Sequence, residues 1–206
     1  MDRLLEGYRR FRAQTWVRER NRFEALAARG QRPRALIIAC SDSRADPQMI
    51  FDAAPGELFV VRNVANLVPP YCPDSAYHGT SAALEFGIRA LGIPDVIVVG
   101  HALCGGVRAL LDGTPEETPD FVRTWVSIAE PARRLAVRLP AAERQEACEH
   151  ETVRLSLANL GTFPWIRDAV AEGRLRLNGC FFDIRTGILK RLGDDGLFAP
   201  VSAPEG

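Results

Sequence analysis

Apolar residues near the start of the chain recur at helical spacing among many arginines: Leu4, Leu5, Tyr8, Phe11, Trp16, Phe23 and Leu26. This spacing predicts an amphipathic helix over 4–28, closed by Gly30 at the position where helices often end. The pattern then changes. Residues 35–39 are apolar without interruption, which predicts a short strand buried on both faces. Asp46-Pro47 predicts a helix start, because proline suits the first helical turn. A second strand is predicted over 58–62. Helical spacing returns over 79–91, through Ala82, Ala83, Phe86, Ile88, Ala90 and Leu91. Gly92-Ile93-Pro94 breaks that helix, and 95–100 is predicted as a third strand, apolar on both faces. From Gly105 the pattern is helical again, with further helices expected at about 121–139, 142–160 and 164–172. Pro131 should kink or divide the first of these. A strand over 175–184, a turn near Thr186-Gly187 and a return over 188–192 complete the chain.

Strand, helix and strand with continuously apolar strands predict an α/β fold: a mostly parallel central sheet flanked by helices. The N-terminal helix stands apart as an arm. One domain is expected over 1–206, because no repeat, low-complexity tract or convincing linker divides it. Composition narrows the function without naming it. Lys plus Arg equals Asp plus Glu at 26 each, which leaves no net field to attract nucleic acid or an anionic membrane. No apolar stretch approaches the length of a membrane span. The first twelve residues lack the apolar core of a secretory signal, and five cysteines then suggest a reducing compartment. A cytoplasmic protein with neither a nucleic-acid nor a membrane partner is expected.

Chemistry enters at the strand ends. Cys40 directly follows the first predicted strand and His101 the third, with Cys104 three residues further on. In open parallel sheets, ligands bind beyond the carboxyl ends of the strands, where remote positions meet. Two cysteines and one histidine form a donor set suited to zinc, and three protein ligands leave a fourth position for water, as catalytic zinc sites do. Water there would lose its proton far more readily than bulk water. Asp42 and Arg44 lie beside the first ligand, in Cys40-Ser41-Asp42-Ser43-Arg44. An arginine can hold a carboxylate bidentately and keep it ionised. So held, Asp42 could orient the attacking nucleophile; released, it could instead occupy the fourth position. A structural zinc closed by a fourth protein ligand is the competing reading, with Asp42 a better candidate for closure than Cys72. Cys148 and Cys180 look like packing thiols, and His78 and His150 have no partner pattern.

These motifs resemble those of beta-class carbonic anhydrases. Cys40-Ser41-Asp42-Ser43-Arg44 is similar to the family's first motif, and Gly100-His101-Ala102-Leu103-Cys104-Gly105-Gly106 to its second. The segment 55–66 between them is similar to the one that shapes the family's pocket, and the resemblance runs from about Arg10 to Leu192. It implies one zinc ion per chain and reversible hydration of carbon dioxide to bicarbonate and a proton. It also implies a homodimer or tetramer in which the first helices clasp a neighbour.

Finer features resemble the plant-like subclass. Gln31 stands where those members have a substrate-binding glutamine, and Phe59 and Phe86 where aromatic groups line a narrow apolar slot. Members inhibited by bicarbonate carry a tryptophan where Ile37 stands here, and Phe182 replaces a tyrosine of the same site. The subclass resemblance therefore implies water at the fourth zinc position and no cooperative inhibition by bicarbonate. The nearest alternative activity is hydrolysis of carbonyl sulfide or carbon disulfide by the same machinery. A non-catalytic zinc-stabilised scaffold is the alternative from a different class.

Overall fold

The computed structural model describes residues 1–118 and 120–202. Its centre is a six-stranded sheet in the order β2-β1-β3-β4-β5-β6. The strands are β1 (Ala35–Cys40), β2 (Leu58–Asn63), β3 (Asp95–His101), β4 (Arg176–Asp183), β5 (Ile188–Leu192) and β6 (Phe198–Pro200). Strands β2, β1, β3 and β4 are mutually parallel, and β5 and β6 are added antiparallel at one edge. Every residue of β1 is buried, as expected of a strand covered by helices on both faces. Two apolar clusters hold those faces. Leu36, Ile38, Val96 and Val98 pack on one side with Val153, Leu160, Phe163 and Ile166, whereas Ile37, Ala39, Val99 and Cys180 form the other.

The N-terminal arm comprises α1 (Asp2–Arg10), a π-helical turn at Phe11–Thr15, and α2 (Trp16–Arg29). Gly30 ends it at φ +74, with its N–H bonded to the Leu26 carbonyl. None of its residues is buried, and Leu4, Tyr8 and Val17 are among its exposed apolar groups. Next come α3 (Pro47–Ile50), capped by the Asp46 carboxylate, and α4 (Gly79–Glu85), which passes into a π-helical turn at Phe86–Ala90.

After β3 the helices are α5 (Gly105–Asp112), α6 (Val122–Val126), α7 (Glu130–Ala136), α8 (Arg144–Leu160) and α9 (Pro164–Ala171). The single helix expected at 121–139 is divided. A 3₁₀ turn at Ser127–Ala129 separates α6 from α7, and Pro131 sits in the first turn of α7, where its missing N–H costs no bond. Among the described residues no helix is long and apolar enough to cross a membrane.

Candidate metal centre

Parallel pairing brings the carboxyl ends of β1 and β3 side by side. Cys40 ends β1, His101 ends β3, and Cys104 is the N-cap residue of α5. All three are buried, and their donor atoms lie within 4.8 Å of one another. The two sulfurs are 3.8 Å apart. The His101 Nδ1–H donates to the Ala102 carbonyl at 2.9 Å, which leaves Nε2 with its lone pair. That Nε2 is buried and has no hydrogen-bond partner. A buried acceptor without a donor, facing two thiols, is what a soft divalent ion would satisfy. The cofactor expected from the sequence, one zinc ion, fits this donor set. The contact between the two sulfurs lowers the Cys40 pKa and, together with burial, raises that of Cys104.

Asp42 stands at the edge of this cluster, with Oδ2 4.0 Å from His101 Nε2. Arg44 grips it from the side. The Arg44 backbone N–H and Nε each donate to Oδ1 at 2.9 Å, and Nη2 donates to Oδ2 at 2.7 Å. These bonds hold the Asp42 carboxyl well below the usual carboxylate range. Nη2 also donates to the Leu103 carbonyl at 3.2 Å, tying the first motif to the second.

A sequence model of the family described as carbonic anhydrase matches residues 35–189. The chain belongs to the beta-class carbonic anhydrases. Beta carbonic anhydrase 3 of Arabidopsis thaliana is 33% identical, over 91% of this chain and 74% of its own length. A carbonic anhydrase of Pseudomonas aeruginosa is 37% identical, over 92% and 86%. Among solved structures, the beta-carbonic anhydrase CcaA superposes with a TM-score of 0.91 at 36% identity, covering 99% of this chain and 93% of its own. A tetrameric beta-carbonic anhydrase of Sordaria macrospora gives 0.81 at 28% identity, with 98% of both chains covered.

In this carbonic anhydrase, five of the expected site residues meet: Cys40, His101, Cys104, Asp42 and Arg44. The other three do not join them within one chain. Gln31 is exposed and precedes β1, at the end opposite Cys40. Phe59 pairs with Leu36, four positions before the Cys40–Asn63 pair, a separation of about 13 Å along the strand. Phe86 is 52% exposed and packs against Phe59 with ring centroids 6.1 Å apart. Cys72 is exposed near Asp74 and lies outside the ligand cluster, so it supplies no fourth ligand.

Three further residues support the centre: Arg62, which lies in the segment 55–66 and does not separate the subclasses, and Glu149 and Gln145, which no sequence pattern singled out. Arg62 donates to the carbonyls of Cys40 at 3.0 Å and Asp42 at 2.7 Å, and pairs with Asp46 at 2.8 Å. Glu149 and Gln145, on α8, hold the peptide groups of Cys104. All three act on backbone atoms from distant positions, which local spacing does not reveal.

Proposed function

We propose that Cys40, His101 and Cys104 hold one zinc ion at a catalytic centre for reversible hydration of carbon dioxide, with Asp42 and Arg44 orienting the reacting water. The supporting observation is the convergence of three buried donors, one an unpartnered imidazole nitrogen, beside an arginine-held carboxylate. When bound, the ion supplies Lewis acidity, bringing the pKa of water at its open position close to neutrality. Asp42 stays ionised under the grip of Arg44 and can accept a hydrogen bond from that water, aligning its lone pair with the carbon of the substrate. The bidentate hold of Arg44 favours this orienting role, and closing the fourth position would require Asp42 to leave that grip. The products are bicarbonate and a proton, which leaves to solvent.

Gln31, Phe59 and Phe86 contribute to a substrate slot only if a second copy brings them to this centre. The arm gives a physical reason for a homodimer or tetramer: a helix with Leu4, Tyr8 and Val17 exposed needs an apolar partner. A cytoplasmic setting belongs to the same reading, since a centre built on two thiols a few ångströms apart depends on reducing conditions. No cooperative inhibition by bicarbonate is expected, because Ile37 and Phe182 stand where inhibited members carry a tryptophan and a tyrosine. Sigmoidal inhibition would count against this state. Stopped-flow carbon dioxide hydration, with carbonyl sulfide hydrolysis alongside, tests the function. Hydration should dominate, and Asp42→Asn should lower kcat/KM and alter its pH profile. An unchanged profile removes Asp42 from the mechanism, and dominant carbonyl sulfide hydrolysis reassigns the substrate.

A further inference from the structure

Glu149 is an acid buried to 2% exposure on α8, a helix otherwise packed through apolar and small side chains. Its Oε1 accepts the backbone N–H of Cys104 at 2.8 Å and the side-chain amide of Gln145 at 2.6 Å. Both donors are neutral. The Gln145 amide has a second N–H, and Nε2 also lies 3.1 Å from the Cys104 carbonyl. The result is a closed ring: the N–H and C=O of one metal-ligand residue are each held by a side chain from α8, and those side chains hold each other. Burying a carboxylate is costly unless donors satisfy it, and an apolar residue would fill the same space at less cost.

The turn that this ring holds is strained. Leu103, immediately before Cys104, has φ +57, a left-handed conformation that a leucine rarely adopts. Its carbonyl is fastened by Arg44 at 3.2 Å, and the Ala102 N–H by the Phe182 carbonyl at 3.0 Å. The strained turn places Cys104 Sγ within 3.8 Å of Cys40 Sγ. Without restraint on both peptide groups of Cys104, the turn could relax and carry that sulfur away.

We propose that Glu149, braced by Gln145, is a positioning residue that holds Cys104 in its metal-binding geometry and so sets how tightly the centre retains zinc. The proposal rests on the zinc reading above. Outer groups that fix a ligand change metal affinity by about 10–100-fold when removed. Acting through hydrogen bonds rather than charge, Glu149 should be replaceable by glutamine, whose carbonyl oxygen can accept the same two bonds.

The test is zinc affinity by chelator competition, with melting of the zinc-free and zinc-loaded forms, for full-length wild type, Glu149→Leu, Glu149→Gln and Gln145→Leu. Wild type should bind one zinc per chain; if it binds none, the zinc reading itself fails. Glu149→Leu should bind about 10–100-fold more weakly and show a smaller zinc-dependent rise in Tm, with Glu149→Gln close to wild type. Wild-type affinity in a folded Glu149→Leu overturns the proposal. So does a loss of stability equal in both forms, which would mark Glu149 as a packing residue only. Equal losses in Glu149→Gln and Glu149→Leu overturn it too, since charge would then be the cause. If Glu149→Leu does not fold, the half-buried Gln145→Leu decides: weaker zinc binding supports the brace, and unchanged affinity refutes it.

Discussion

Replacing Gly106 with alanine tests how closely the second motif must approach the pocket segment. A Cβ at Gly106 would lie 2.6 Å from Val64 Cγ1, 3.0 Å from Ala65 Cβ and 3.2 Å from the Ala65 backbone nitrogen. A rotamer change can move Val64, but the contacts to Ala65 involve backbone already held at φ +63. Its neighbour supplies the control: a Cβ at Gly105 meets nothing within 4 Å. Both glycines open α5, so the gain from helix propensity, at most about 1 kcal/mol, is similar for the two and cancels in the comparison. What remains is overpacking, about 1–3 kcal/mol against Gly106→Ala. For a chain of this size that corresponds to a Tm about 2–12 °C below that of Gly105→Ala. Ala65 packs in the same buried cluster as Cys40 and Cys104, so the displacement should also weaken zinc retention. Calorimetry and zinc titration on both variants measure the two effects. Equal Tm and equal affinity for the two variants would refute the close approach.

Arg44→Ala should lower kcat/KM by about 10–100-fold, since the orientation of Asp42 depends on that side chain. Arg44 depresses the folded-state pKa of Asp42 below the unfolded value of 3.8, so its stabilisation is full above that value and fades as pH falls from there toward the folded pKa. The stability gap between wild type and Arg44→Ala in urea melts should therefore be open at pH 7 and narrow below about pH 4; a gap that widens on acidification rejects the pair. Thiol labelling of the zinc-loaded protein should modify exposed Cys72 first, because burial pushes Cys148 up to about 12 and Cys180 to about 11. A chelator should then admit Cys40 and Cys104, and early labelling of Cys148 would contradict the packing. Deleting residues 1–29 should reduce the assembly seen by sedimentation, and an unchanged sedimentation coefficient per chain excludes the arm from the interface.

The strands and ligands were legible because each has a local cause. Uninterrupted apolar runs mark β1 and β3; Cys40 and His101 stand at the ends of those runs, where a parallel sheet gathers its functional groups, and Cys104 follows three residues after His101. The arm was legible as a helix, although its π-helical turn was not, since periodicity does not distinguish one wider turn. β6 was missed: it is three residues long and depends on pairing with β5 and on contact between Phe198 and His150. His150, a histidine with no sequence partner, stacks on Phe198 and meets Phe181 edge-on, and burial there lowers its pKa to about 4. The supports of the centre were invisible for a different reason. Glu149 reaches Cys104 from 45 positions away, and Arg62 acts on carbonyl groups, which no side-chain motif encodes. The left-handed conformations of Ala65 and Leu103 are likewise not suggested by their residue types.

The central claim, that Cys40, His101 and Cys104 form a catalytic zinc centre, is tested most directly by metal content and carbon dioxide hydration measured on the same samples of wild type and Cys104→Ser. One zinc per chain with rapid hydration in wild type, and loss of both in the variant, is the predicted result. A folded wild type that is metal-free and inactive, or a Cys104→Ser variant that keeps zinc and full activity, would contradict it.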